Sequence, residues 1–165
     1  MAEMTKKNEF FLLKEAALSE GGYYVPPYEE LADAIPLPAD PKSNVTLSAD
    51  MFRFLMRGWL VHQFFDEASY LNENPDVKKA VKEGRLSSGW EHYVGIGYFE
   101  GRSPGRHFID VNWYRTVNKD IALAERKGRI SAEEHFERTG RNEKRAGSES
   151  HKWMIAEWRN ALKLP

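Results

Sequence analysis

The sequence predicts an all-α protein, and three observations predict it. One stretch is written twice, from Phe64 to Pro104 and again from Phe108 to Gly147. Within each copy, capping residues and glycines recur at the spacing of short helices. Ahead of the copies, residues 49–64 hold the densest run of apolar side chains in the chain. A fixed internal period of a few tens of residues signals one supersecondary unit per copy. Asp66 matches Asp110, Tyr70 matches Tyr114, Asn74 matches Asn118, and Asp76-Val77 matches Asp120-Ile121. Gly84-Arg85-Leu86-Ser87 matches Gly128-Arg129-Ile130-Ser131, and after a one-residue deletion Glu91-His92-Tyr93 matches Glu134-His135-Phe136. Gly97 then matches Gly140, and Arg102 matches Arg145.

The elements follow in order. Residues 8–19 read as a short amphipathic helix stopped by Gly21-Gly22. Pro26-Pro27 makes Tyr23-Tyr24-Val25 extended, and Tyr28 to Ile35 suits a short helix with Glu29 and Glu30 in its first turn. Pro36, Pro38 and Pro41 stiffen a linker, so a boundary falls between an N-terminal arm (1–43) and a helical domain (44–165). Ser48 is the expected N-cap of the helix carrying Met51, Phe52, Phe54, Leu55, Trp59, Leu60, Val61 and Phe64. A helix apolar on nearly all sides is expected to be buried, which makes this one the central helix.

Each repeat (64–105 and 108–148) reads as three short helices. The first is capped by Asp66 or Asp110. The second starts at Asn74-Pro75 in the first copy, with Asn as N-cap and Pro at the first helical position, and ends at Gly84. The third starts at Ser87 or Ser131, with a capping box in Ser131-Ala132-Glu133-Glu134, and stops at Gly97 or Gly140. A last helix at 149–162, bearing Trp153, Ile155, Trp158 and Leu162, is expected to cap the second repeat.

Composition narrows the class. The chain of 165 residues is 41% hydrophobic and 30% charged, with five Trp, seven Tyr and nine Phe, which suits one folded domain with a sizeable core. The absence of cysteine excludes disulfides and thiolate metal sites. Apolar runs fall short of the ~20 residues of a membrane span, and the N-terminus carries no recognisable signal peptide, so a cytoplasmic location is expected. Net charge is −1 but polarised: residues 1–101 carry 10 Lys+Arg against 16 Asp+Glu, and residues 102–165 carry 14 against 9. A polarised chain favours head-to-tail contacts or an anionic partner.

The words YLNENPDVKKAVKEGRLSSGWEHYVGIGYFEGR at 70–102 resemble a bacterial tandem repeat found in surface proteins and in proteins associated with polysaccharide synthesis. Asn74, Pro75, Asp76, Val77, Gly84, Ser87, Glu91, His92, Tyr93, Gly97, Glu100, Gly101 and Arg102 carry the resemblance. The second copy departs from it, with Lys119 at the proline position and Lys144 at the glycine position. The resemblance covers about half of the chain (64–147). It implies a helical accessory or docking module near glycan machinery, with no inherited catalytic residues and no cofactor.

Candidate chemistry is sparse. His92 and His135 stand at equivalent positions and read as structural hydrogen-bonding histidines rather than metal ligands. Arg102 and Arg145 follow Glu100 and Glu143; each can hold an anionic group or clasp its own loop. Gly95-Ile96-Gly97 lacks the strand and Gly-Lys ending of a phosphate loop. The run Arg138, Arg141, Lys144, Arg145 and Lys152 is broken by acids, so nucleic acid is not an expected partner. Tyr23, Tyr24, Tyr28 and Tyr98 are the aromatics most apt for an exposed surface, since they flank glycines or prolines. With no nucleophile elbow or paired carboxylates, no enzyme is expected. The expected function is a non-catalytic adaptor that binds a protein partner or self-associates through the arm, helix 49–64 and the surface marked by Tyr23, Tyr24, Tyr28, Tyr98, Arg102 and Arg145. The alternative is carbohydrate recognition or accessory work in exopolysaccharide production.

Overall fold

The computed structural model describes residues 24–36, 38–40 and 42–163, and among these it is helical without a strand. The expected helix at 8–19, the Gly21-Gly22 stop and Tyr23 lie outside the described residues. Two compact units are present. One takes the described residues up to Gln63 together with Tyr70–Ser103, and the other takes Phe64–Ser69 and the chain from Pro104 onward.

In the first unit, residues 24–27 are irregular and lead into α1 (Tyr28–Ala34), which carries Glu29 and Glu30 in its first turn. Helix α2 (Ala49–Leu60) is capped by Ser48, whose hydroxyl accepts from the Met51 N–H at 3.1 Å. Helix α3 (Glu67–Glu73), whose residues from Tyr70 onward belong to this unit, leads into α4 (Pro75–Lys82). Helix α4 stops at Gly84, whose φ of +70° only glycine adopts without strain. Helix α5 (Gly89–His92) runs directly into a π-helical turn, Tyr93–Gly97. There the N–H groups of Tyr98 and Arg102 reach back five residues, to the carbonyls of Tyr93 and Gly97, both at 2.9 Å. Tyr70, Val77, Ala80, Tyr93 and Val94 are buried. Tyr70 and Tyr93 meet edge to face with ring centroids 5.7 Å apart.

The second unit repeats this grammar. Helix α6 (Val111–Val117) is capped by Asp110, whose carboxylate accepts from Trp113 N–H at 3.0 Å. Helix α7 (Lys119–Arg126) stops at Gly128, with φ +65°. Helix α8 (Ala132–His135) continues as a second π turn, Phe136–Gly140. Tyr114, Ile121, Ala132 and Phe136 form its core, with Ile109, Val111 and Trp113 packed against it. Helix α9 (Glu149–Ala161) is capped by the buried Ser148.

Four expectations need correction. Ser88, not Ser87, caps α5: its hydroxyl accepts from Glu91 N–H at 3.0 Å. The deleted residue therefore precedes the serine, and Ser88 is the true counterpart of Ser131. Ser87 instead donates its N–H (2.7 Å) and hydroxyl to the Glu91 carboxylate, so the reciprocal contact of a capping box lies in the first copy, shifted by one residue. In the second copy Ser131 accepts from Glu134 N–H, but the Glu134 carboxylate pairs with Arg138 instead. Asn74 makes no side-chain cap; its amide reaches back to the Tyr70 carbonyl at 2.8 Å.

The larger corrections concern burial. Only Leu60 of α2 is buried. Phe52 and Phe54 are 50% and 58% exposed, and Trp59 is 65% exposed. Helix α9 buries no residue, and Trp153 is 66% exposed, so it does not act as an apolar cap. The physical reason is that the short helices of each copy fill their own core, chiefly with Tyr70, Val77 and Tyr93 in one and with Tyr114, Ile121 and Phe136 in the other.

Candidate functional site

The chemistry-bearing residues of each copy converge on one buried arrangement. Tyr70, on α3, reaches His92 at the end of α5, with its hydroxyl 2.9 Å from Nδ1. Tyr114 reaches His135 in the same way at 3.0 Å. Burial holds His92 below the ordinary imidazole value, with the Arg102 charge adding to the effect. Burial also pushes the Tyr70 hydroxyl up to about 12 and raises that of Tyr114. The first pair is therefore neutral at pH 7, a phenol against an uncharged imidazole, and the ring nitrogen holds the hydroxyl without a formal charge.

The glycines of the π turns make this contact possible. A Cβ on Gly97 would overlap the Tyr70 hydroxyl and come within 3.0 Å of His92 Nδ1. A Cβ on Gly140 would overlap the Tyr114 hydroxyl in the same manner. Gly97 and Gly140 are thus not the helix stops the sequence suggests. They are close-approach glycines inside a continuing helical turn. The same closeness leaves no space for a substrate atom at Nδ1 of either histidine.

A second buried-to-surface network closes each copy. Arg102 donates from Nε to Glu100 at 2.7 Å, from one terminal nitrogen to Asn74 (2.9 Å) and Asp76 (3.0 Å), and from the other to Asp76 at 2.9 Å. Arg145 does the same with Glu143 (2.7 Å), Asn118 (2.8 Å) and Asp120 (3.1 and 2.9 Å). The bonds from Arg102 hold the Asp76 carboxyl down at about 2, and Asp120 is lowered by Arg145. Both guanidinium groups are raised in turn. Asn74 links the two networks, since its amide holds the Tyr70 carbonyl while its oxygen accepts from Arg102. The sequence pointed to the Arg–Glu half of this clasp and missed the Asn-x-Asp half. The signal was present, because Asn74 and Asp76 recur as Asn118 and Asp120.

The predicted surface residues are dispersed. Tyr24 and Tyr28 are 80% and 65% exposed. Tyr98 is partly exposed and stacks edge-on against Tyr93 and Phe99, with centroids 6.1 and 5.3 Å apart. Arg102 and Arg145 are committed to their clasps rather than presented to a ligand. Among the described residues, no group of three or more His, Asp or Glu side chains is placed to hold a metal ion. His92 and His135 are each engaged by the tyrosine of their own copy.

Helix α2 presents the least expected surface. At about 3.6 residues per turn, Arg53, Arg57 and Leu60 share one face, while Phe52, Phe54, Leu55, Gly58 and Trp59 fill the opposite arc. It is the arginine face that docks. Arg57 donates to the Gly95 carbonyl in the π turn at 2.9 Å. Arg53 and Arg57 both lie over the Phe99 ring, 5.8 and 6.0 Å from its centroid. The apolar arc faces outward, and a Cβ on Gly58 would meet nothing within 4 Å.

No family model matches the chain, and no curated protein or solved structure matches it with significance. Among the described residues, no helix is long and apolar enough to cross a membrane.

Proposed function

We propose that this protein is a non-catalytic interaction module, two tandem copies of one helical unit that display an apolar docking helix to a protein partner or to an assembly. The observation that carries the reading is the inverted α2, with its cations turned toward the π turn and Phe52, Phe54 and Leu55 turned outward at 43–58% exposure. Contiguous exposed apolar surface on a soluble domain marks an interaction site. Tyr24 and Tyr28, 80% and 65% exposed, are further aromatic residues open to a partner. The buried polar pairs support the same reading from the other side, because both are consumed in holding the unit together.

The test is affinity capture with the full chain beside the variant Phe52→Glu/Phe54→Glu. A specific partner retained by the first and lost by the second, with unchanged helicity and melting temperature in the variant, is the expected result. Equal recovery from both removes α2 as the docking face. The second reading, binding of a glycan, draws on Tyr24 and Tyr28, whose exposed rings suit stacking on sugars. A glycan array probed with the full chain and with Tyr24→Ala/Tyr28→Ala decides it, and silence with the full chain removes it.

A further inference from the structure

The two copies share their buried contacts but not one face. On the second copy, α6 and α7 enclose a groove of about 530 Å³ lined by Arg115, Lys119, Ala122, Leu123, Glu125 and Arg126. Lys119, Ala122, Leu123 and Arg126 fall at positions i, i+3, i+4 and i+7 of α7, so they form one stripe. Lys119 and Arg126 mark its ends, about 10 Å apart at 1.5 Å of rise per residue. Leu123, 52% exposed, lies between them. Arg115 stands across the groove, held by Glu125 through two parallel bonds of 2.5 and 2.8 Å. Glu125 is itself fixed by the Ala132 N–H at 3.2 Å. In the first copy the counterparts of Lys119, Arg115, Leu123 and Glu125 are Pro75, Leu71, Lys79 and Val81. The stripe of cation, apolar pair and cation belongs to the second copy alone.

We propose that this groove binds an acidic amphipathic helix of a protein partner, one whose carboxylates recur seven residues apart on either side of an apolar side chain. The match is one of charge and spacing: two helices share the same rise, so carboxylates at i and i+7 meet Lys119 and Arg126 while the apolar residue between them meets Leu123 and Ala122. Arg115, already paired with Glu125 through two bonds, forms the far wall of the groove, so Lys119 and Arg126 are the cations that meet the partner's acids. No aromatic ring lines the groove, which disfavours a sugar chain or a nucleic acid as occupant. The inference deepens the proposed function by naming a partner's chemistry, but it stands on residues separate from α2.

The probe is a fluorescein-labelled helical peptide carrying two glutamates seven residues apart around a leucine, titrated into the full chain by fluorescence anisotropy. Its comparators are an isomer of the same composition with adjacent glutamates, and an oligoguluronate. The expected result is saturable binding of the patterned peptide, weakened at least tenfold by Lys119→Glu/Arg126→Glu and by added salt. Lys82→Glu, at the position in the first copy equivalent to Arg126, leaves binding unchanged. Absence of binding, equal binding of the isomer, insensitivity to the charge reversals, or preference for the oligoguluronate each overturns the proposal. Circular dichroism of the variants separates loss of the groove from loss of the fold. Capture through Phe52 and Phe54 is scored independently, so the groove and the α2 face fail separately.

Discussion

The segment from Tyr70 to Arg102 and the segment from Tyr114 to Arg145 have kept different things at different depths. In two networks they agree bond for bond: tyrosine to histidine and asparagine to the tyrosine carbonyl, and arginine to Asn, Asp and Glu, while the buried Glu91, held by Ser87, gives way to an exposed Glu134 paired with Arg138. Outside, they diverge. Pro75 becomes Lys119, Leu71 becomes Arg115, and Gly101, with φ +77°, becomes Lys144, which is forced into the same left-handed region at +62°. Buried polar groups tolerate no half-measures, because losing one partner strands the other without water. Exposed positions carry no such penalty and are free to acquire new surfaces. The agreement thus locates the scaffold, and the divergence locates the places where the second copy has something of its own.

The sharpest way to break the comparison is at the close-approach glycines. Gly97→Ala drives a methyl into the Tyr70 hydroxyl, which cannot retreat because the ring is fully buried. A loss of about 1–3 kcal/mol is expected. Gly140→Ala should cost somewhat less, since the His135 nitrogen stands 3.3 Å from the built Cβ where His92 stands at 3.0 Å. Tyr70→Phe alone leaves the His92 nitrogen buried without its partner, at about 1–3 kcal/mol. The double variant Gly97→Ala/Tyr70→Phe should cost clearly less than the sum, because removal of the hydroxyl makes room for the methyl. Urea melts of the four proteins decide the point, and strict additivity would separate the glycine from the Tyr–His contact.

Next in size are the clasps. Arg102→Ala and Arg145→Ala are each expected to lose about 1–2 kcal/mol, since solvent around the Asp76 and Asp120 carboxylates screens the pairs. Lysine should rescue little at either position, since one ammonium cannot serve Asn, Asp and Glu from a planar fork. If lysine restores stability in one copy only, the two clasps are not equivalent.

How much of this was legible in the sequence depends on the range of the interaction. Local signals read correctly: Ser48, Asp110, Gly84 and Gly128 act within one helical turn of themselves. The Tyr–His pair spans 22 residues in one copy and 21 in the other, and no local rule predicts it. Only the joint recurrence of tyrosine, histidine and glycine could have pointed there. The π turns were illegible for a related reason. A glycine needed for close approach looks the same in sequence as one that ends a helix. The exposure of α2 was not legible because apolar count says nothing of which face a neighbour accepts. Phe99 and the Gly95 carbonyl select arginine, and the apolar arc is left outside.

A smaller test concerns strain. Lys144 sits where an L-residue costs about 1 kcal/mol or more, so Lys144→Gly should stabilise the protein by roughly that amount. Gly101→Lys should lose a similar amount in the first copy. Thermal melts showing both changes, opposite in sign, would confirm that the two turns are one structure with two sequences. A neutral Lys144→Gly would mean that the lysine contributes a contact that offsets its backbone.

The smallest expected effect is a pH dependence confined to the histidines. His92 is held neutral, below its ordinary value of 6.5, by burial and then by Arg102. His107 is lowered as well, by burial and then by Arg141. For each, the unfolded chain binds a proton more readily than the folded one, so stability rises with pH across this range. The contribution is complete above about 6.5 and is lost as pH falls through the lower folded values. Denaturant melts between pH 7.5 and 5 should show that slope, and His107→Gln should reduce it by removing one of the two groups while leaving the Tyr70–His92 bond in place. A slope that vanishes entirely in His107→Gln would assign the whole effect to the Glu137-facing histidine and would mean that His92 titrates alike in both states, which its burial against Tyr70 argues against.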